Sequence, residues 1–340
     1  MPTTIRYSIS DLATYFESTT YDRIMVLCDE NTRKHCVPLL TNLIPHFQII
    51  EIASGETHKN WETCMQIWEA LVSNHFTRNS LLINVGGGVI TDMGGFAASV
   101  YKRGIKCIQI PTSLLAMVDA SIGAKTGIDF QNIKNTLGTF YEAELTIIDP
   151  IFLQTLDKRQ IISGFAEMLK HGLIADKAYF HQLLDYSFEN TIDWPLLIQQ
   201  SLHIKSSIVA QDPTEKGLRK TLNFGHTIGH AIESYYLEKE NALLHGEAIL
   251  YGMIAALFLS SKKFNYTSAF ISALENFTEK HLSTAKIKID ITQVMKYIQQ
   301  DKKNKGDQFL FVLLDAENQI LYDIPCSQNE IIEALNYLHD

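Results

Sequence analysis

The stretch SLLINVGGGVITDMGG, residues 80–95, decides the fold class. Ser80–Val85 is an apolar run of strand length, and it leads straight into Gly86, Gly87 and Gly88. A helix follows from about Val89. Strand, glycine turn and helix in direct succession make the repeating unit of a parallel sheet covered by helices. The pattern continues on either side. Arg23–Cys28 and Phe47–Ala53 read as strands, with helices over Asn31–Leu43 and Asn60–Phe76. Downstream, Lys106–Ile110 and Leu145–Ile148 read as strands, with a helical stretch from Thr112 between them.

Beyond Pro150 the periodicity becomes helical. It covers Arg159–Leu173, Tyr179–Leu184, Trp194–Ala210, Thr221–Tyr236, Gly246–Lys262 and Thr267–Lys280. A hairpin of Phe309–Leu314 with Ile320–Ile324 and a final helix Asn329–Leu338 complete the chain. The expected fold is an α/β nucleotide-binding domain with a parallel sheet, residues 1–150, followed by a mainly α-helical domain, residues 151–340.

Bulk properties narrow the function. The 340 residues are 46% hydrophobic and 20% charged, as in ordinary soluble proteins. A net charge of −9 argues against nucleic-acid binding, which needs a basic surplus. The five cysteines, Cys28, Cys36, Cys64, Cys107 and Cys326, form no CxxC pair and read as reduced thiols of a cytoplasmic protein. The N-terminus has no basic segment followed by an apolar one, so no signal peptide is expected. The apolar run Ala248–Leu259 falls short of the ~20 residues that span a bilayer and reads as a core helix, so no membrane partner is expected.

The glycine turn lets backbone approach a phosphate, and the helix start offers free N–H groups and a favourable dipole. It is not the GxGxxG fingerprint, and a tight strand-to-helix turn is the competing reading. Asp29, Glu56 and Lys59 lie at carboxyl ends of strands, where open α/β sheets bind ligands. Asp92 is placed to bind a ribose or nicotinamide-side hydroxyl or, alternatively, to act as a dipole partner in the first helical turn.

A second informative stretch is TLNFGHTIGHAIESYYLEKENALLHGE, residues 221–247. His226 and His230 are four apart and share one helix face, and His245 opens the next apolar helix. One imidazole of such a pair can hold a metal while the other moves protons. Glu167 sits in SGFAEMLK among Phe, Ala and Met, where a carboxylate needs a partner. Glu167, His226 and His245 make an N₂O ligand set with the open position of a catalytic zinc. The rival readings are a helix-capping His245 and a satisfied core His230. Arg103, Lys125, Lys134, Asn135, Lys170, Lys205, Arg219, Lys302 and Lys303 lie in glycine-rich, apolar or amphipathic contexts of an acidic chain. Each alone reads as a surface charge. Together they suggest a pocket for a small substrate carrying phosphate and carboxylate.

The blocks GGGVITDMGGFAASVYKRGI, IPTSLLAMVDASIGAKTGID, KNTLGTFY, SGFAEMLKHGLI, GLRKTLNFGHTIGHAIE and HGEAILYGM occur in an order that resembles the 3-dehydroquinate synthase family of sugar-phosphate cyclases, over roughly residues 20–315. The resemblance implies a homodimeric lyase that uses NAD and Zn2+ (or Co2+). It would turn 3-deoxy-D-arabino-heptulosonate 7-phosphate into 3-dehydroquinate and phosphate in the shikimate pathway of aromatic amino acid biosynthesis. By motif, Glu167, His226 and His245 resemble the metal ligands, and His230 the proton-transfer residue. Asp119, Lys170, Lys205, Arg219 and Asn223 resemble substrate ligands. Lys125, Asn135 and one of Lys302 or Lys303 resemble phosphate ligands, with Arg103 reaching the phosphate of the neighbouring subunit. Asp29, Glu56, Lys59, Gly87, Gly88, Val89, Asp92, Thr112, Ser113, Lys134, Thr155 and Leu156 resemble NAD contacts. Two departures stand out. Gln160 replaces a usual glutamate, and Gly94 replaces a bulkier small residue, a change read as neutral. Other cyclases and metal-dependent polyol dehydrogenases are the rival readings on this scaffold.

Overall fold

The chain forms two compact units, Met1–Ile161 and Ile162–Asp340. The computed structural model describes residues 3–131, 133–189, 192–237, 239–265, 269–299 and 309–339. The sequence reading put the divide at 150. The units separate instead within a helix that begins at Lys158 and runs unbroken to Ala175.

The first unit is built on a six-stranded sheet in the order β1-β8-β5-β4-β2-β3, every pair parallel. The strands are β1 (Thr4–Arg6), β2 (Ile24–Asp29), β3 (Gln48–Ile52), β4 (Leu81–Gly86), β5 (Lys106–Pro111) and β8 (Leu145–Ile147). The helices are α1 (Asp11–Ser18), α2 (Glu30–His35), α3 (Val37–Leu40), α4 (Trp61–Ser73) and α5 (Gly88–Val100). Strand β4 is buried along its whole length and β2 along all but its last residue, as both-face coverage requires. After β2 the chain pairs outward to β3, then returns to the other side of β2 as β4. The strand order therefore reverses between β2 and β4, and ligands of open α/β sheets bind beyond the carboxyl ends at such a point. Asp29 ends β2 there, and Gly86 ends β4.

Some features of this unit escaped the sequence. Strand β1 has three residues, too few for a periodic signal. The single helix expected over Asn31–Leu43 is two, α2 and α3, meeting at Cys36. Pro38, two residues on, cannot donate a backbone hydrogen bond and disfavours helical geometry just before it. The helical stretch after Thr112 is centred on one π-turn, Ala116–Ala120, a form that often marks functional sites. A hairpin of β6 (Lys125–Phe130) and β7 (Ile133–Phe140) was not foreseen at all. Thr, Ile and Phe fill half of its strand positions, with Lys, Gly, Asp and Asn, residues of low strand propensity, between them. Its two glycines, Gly127 and Gly138, face each other. A Cβ on Gly127 would lie 2.7 Å from the Leu137 carbonyl oxygen, so close backbone approach replaces side-chain packing.

Gly94 corrects another expectation. A Cβ there would overlap Asn84 Oδ1 and lie 2.9 Å from Leu27 Cδ2. Helix α5 rests closely on β4, and a side chain at this position would require Asn84 and Leu27 to shift, so the change bears on packing.

The second unit is helical. It contains most of α6 (Lys158–Ala175), then α7 (Lys177–Leu184), α8 (Trp194–Gln211), α9 (His226–Tyr236), α10 (His245–Phe264), α11 (Ala269–Leu282) and α12 (Ile291–Gln299). The expected hairpin follows as β9 (Phe309–Leu314) with β10 (Ile320–Cys326), antiparallel, and α13 (Gln328–Leu338) comes last. Ser327 and Glu330 form a capping box at the start of α13. Helix α10 is the centre. It packs against α9, α11, α13 and β9, and Gly246–Leu257 is buried without interruption. This is the apolar run read as a core helix. Among the described residues, no helix is long and apolar enough to cross a membrane.

All five cysteines are buried as free thiols, and burial pushes each of them up to about 12. A thiolate is the reactive form, so none should label with iodoacetamide at pH 8 in the folded protein, and all five should label in guanidinium. Fast native labelling, read by intact mass, would contradict this packing.

Candidate active site

In the second unit, Glu167, His226 and His245 come from three different helices, α6, α9 and α10. Glycines bring those helices together. A Cβ on Gly246 would overlap the Ser163 carbonyl oxygen, and the Gly246 N–H donates to Ser163 Oγ at 3.0 Å. This contact seats the start of α10 on α6, one turn before Glu167. A Cβ on Gly252 would overlap the Gly225 carbonyl oxygen and lie 2.7 Å from the Gly229 nitrogen. That contact seats α10 on α9. Gly225 has φ +77°, a left-handed conformation that starts α9 at His226. Glu247 Oε2 accepts from the Leu244 N–H at 2.8 Å and fixes the start of α10 at His245.

The result is a tight cluster. Glu167 Oε1 lies 3.7 Å from His226 Nε2 and 3.5 Å from His245 Nε2. Glu167 is fully buried, and its Oε2 pairs with the ammonium of Lys170, itself 1% exposed. His226 Nδ1 faces the Phe224 carbonyl oxygen at 3.1 Å, and His245 Nδ1 faces Glu233 Oε2 at 3.1 Å. A ring that donates from Nδ1 keeps its lone pair on Nε2. Both Nε2 atoms therefore face one carboxylate oxygen, and each can offer a lone pair to a metal once its ring is neutral. Ligand atoms around a tetrahedral zinc, with bonds of ~2.0–2.1 Å, stand ~3.3 Å apart. The separations found here lie within a few tenths of an ångström of that, and the donor set of one carboxylate oxygen and two imidazoles suits zinc. A divalent cation fits these residues.

His230 is close as well, with its ring centroid 5.0 Å from that of His226 and 5.5 Å from that of His245. One ring nitrogen from each of the three histidines falls within a 4.8 Å group. Burial disfavours a charged His245, but Glu233 and Glu167 outweigh it and raise its pKa to about 10. A metal needs the neutral ring, so binding must release that proton.

Lys205 and Arg219 are also buried in this unit, 5% and 3% exposed. Arg219 lies in a short 3₁₀ turn, Leu218–Asn223, whose start is tied to Asp212: that carboxylate accepts the N–H groups of Lys216, Gly217 and Arg219 at 3.0, 2.7 and 3.1 Å. Its guanidinium donates to the Pro213 carbonyl at 2.7 Å. Asn223 Nδ2 donates to Glu215 Oε1 at 2.5 Å. Lys302 and Lys303 lie outside the described residues.

In the first unit the expected cofactor residues form two groups. The Thr112 N–H donates to the Gly86 carbonyl at 2.9 Å, and a Cβ on Gly87 would lie 3.2 Å from Ser113 Oγ. The glycine turn and the end of β5 are therefore neighbours, with Gly88 and Val89 opening α5 beside them. In the second group, Lys59 Nζ bonds Asp92 Oδ2 at 2.6 Å and Asn135 Oδ1 at 2.8 Å, and Lys134 Nζ reaches Glu56 Oε1 at 3.3 Å. Burial disfavours the Lys59 ammonium, but Asp92 and Glu56 outweigh it, and its pKa is raised. Asn135, expected at a phosphate, joins this lysine–aspartate pair. Asp29 caps α2, accepting from the Thr32 N–H at 2.8 Å. Asp119 lies in the π-turn, Thr155 and Leu156 end a short 3₁₀ turn, and Lys125 and Arg103 are exposed. Arg103 has φ +66° and Lys102 φ +50°, a bent segment that turns α5 into β5.

Sequence reasoning did not single out Glu233 or His171. Glu233 lies three residues after His230 and seven after His226, spacings that share a helix face, and this signal was available. His171 is fully buried, with Nδ1 2.7 Å from Ser201 Oγ.

The family models described as 3-dehydroquinate synthase N-terminal and C-terminal match residues 49–163 and 164–304. A 3-dehydroquinate synthase of Parabacteroides distasonis is 39% identical, over 97% of this chain and 95% of its own length. One of Rippkaea orientalis is 40% identical, over 89% of this chain and 82% of its own. Among solved structures, the 2-epi-5-epi-valiolone synthase of Streptomyces hygroscopicus subsp. jinggangensis, with NAD+ and Zn2+ bound, aligns with a TM-score of 0.83 and 25% identity, covering 99% of this chain and 97% of its own. With both halves of the chain matched and near-full-length relatives at this identity, the chain belongs to the 3-dehydroquinate synthase family.

Proposed function

We propose that this chain converts 3-deoxy-D-arabino-heptulosonate 7-phosphate to 3-dehydroquinate and phosphate. The reaction oxidises the C5 hydroxyl transiently, eliminates phosphate, returns the hydride and closes the carbocycle by aldol addition. The observation that carries this reading is the convergence of Glu167, His226 and His245 on one point beside Lys170 and His230. When bound, NAD would supply the hydride acceptor and donor, and a divalent cation would supply Lewis-acid polarisation of the substrate hydroxyls.

The chain's own residues supply the rest. Glu167, His226 and His245 hold the cation. Lys170, Lys205, Arg219, Asn223 and Asp119 bind and orient the substrate, and Lys125 and Asn135 take the phosphate with Lys302 or Lys303. His230 moves a proton at its ring nitrogen next to the ligands. Asp29, Glu56, Lys59, Gly87, Gly88, Val89, Asp92, Thr112, Ser113, Lys134, Thr155 and Leu156 hold NAD in the first unit. The leaving phosphate can take the C6 proton itself, so fixed positive charge and orientation matter more than a strong base. The working form is a cytoplasmic homodimer in which Arg103 reaches the phosphate bound by the neighbouring subunit.

Given the heptulosonate phosphate, NAD+ and zinc, the purified protein should release phosphate with no net build-up of NADH. Absorbance at 340 nm and a phosphate assay on the same sample decide this. Steady NADH formation from a simple polyol, without phosphate release, would support a dehydrogenase instead.

A further inference from the structure

We propose that Glu233 is a positioning residue that orients His245 and strengthens it as a metal ligand. This rests on the reading that Glu167, His226 and His245 hold a divalent cation.

The two imidazoles differ in what stands behind them. His226 Nδ1 faces a neutral backbone carbonyl, that of Phe224, at 3.1 Å. His245 Nδ1 faces a carboxylate oxygen, Glu233 Oε2, at the same distance. Glu233 comes from α9, whereas His245 opens α10, so the contact also ties the two ligand helices together. The Glu233 side chain is 7% exposed, so solvent screens the contact weakly. A carboxylate that accepts Nδ1–H fixes the tautomer and ring orientation and raises the basicity of Nε2. His245 needs this more than His226. Its side chain is 23% exposed against 10% for His226, so less packing holds the ring. His226 is the first residue of α9 and is held by the geometry of Gly225 and Phe224. For His245 the carboxylate takes the place of that local restraint.

The test uses the full-length protein stripped of metal and titrated with Zn2+ against a chromophoric chelator. Glu233→Gln keeps the size and an oxygen acceptor but removes the charge, and should weaken Zn2+ binding roughly 10- to 100-fold. Glu233→Leu also removes the acceptor and should weaken binding further. Glu233→Asp, which restores the charge, should recover part of the affinity. NAD binding of Glu233→Gln should match wild type, and the melting temperature of its metal-free form is measured alongside so that Zn2+ affinity is compared per folded molecule. Unchanged Zn2+ affinity in Glu233→Gln, with wild type binding tightly, overturns the positioning role and leaves the ligand set standing. A lower melting temperature with unchanged affinity per folded molecule shows a merely structural role and also overturns it. Failure of wild type to bind Zn2+ overturns the ligand reading itself.

Discussion

His226→Ala is expected to lose metal and turnover together. The substitution removes one of the two nitrogens that face Glu167 Oε1, at 3.7 Å, and leaves a single imidazole and a carboxylate. Two protein ligands hold zinc poorly, since catalytic sites use three. Lewis-acid assistance is worth several kcal/mol, and each ~1.4 kcal/mol is tenfold in rate, so kcat/KM should fall about 10³-fold or more. Zinc content by atomic emission should fall in parallel. His230→Ala is the informative partner. Its ring lies 5.0 Å from that of His226, close enough to serve the same substrate, but its proposed work is proton transfer. Its loss should cost ~10²–10⁴-fold in kcat with zinc retained. Equal zinc loss in the two variants would sink this division of labour and make His230 a ligand.

Gly252→Ala should be nearly as damaging, although the residue lies seven positions beyond His245 and carries no functional group. The new methyl would overlap the Gly225 carbonyl and crowd the Gly229 nitrogen at 2.7 Å. Both neighbours are backbone, so no rotamer change relieves the clash, and α9 must move away from α10. Overpacking of this kind costs ~1–3 kcal/mol or more. At ~2–4 °C per kcal/mol for a unit of this size, the melting temperature should fall by up to about 12 °C. Because His226 rides on α9 and His245 on α10, the same displacement should weaken zinc binding in the molecules that remain folded. A variant with wild-type melting temperature and zinc affinity would show that the glycine contact does not set the ligand geometry.

The sequence reading succeeded where the signal is local. The buried strands β2 and β4, the glycine turn, the core helix α10 and the hairpin β9–β10 all announce themselves by composition and period. It failed where a tertiary partner overrides local preference. The β6–β7 hairpin mixes strand formers with Lys, Gly, Asp and Asn and depends on the close approach of Gly127 and Gly138. Gly94 looked like a free substitution because nothing in the sequence says that Asn84 lies beneath it. Asn135 accepts from Lys59, 76 residues earlier, a pairing that spacing along the chain does not announce.

By itself the sequence determined the residue types of the ligand set, the placement of His226 and His230 on one helix face, and the order of a parallel sheet followed by helices. Those properties follow from periodicity and side-chain chemistry, which are written along the chain. Only the tertiary structure decided that a carboxylate on α6 meets imidazoles on α9 and α10, and that Glu233 stands behind one of them. The physical reason is helix spacing. Side chains from three helices can reach one cation only if the backbones nearly touch, and whether a given glycine lies at such a contact depends on what packs against it.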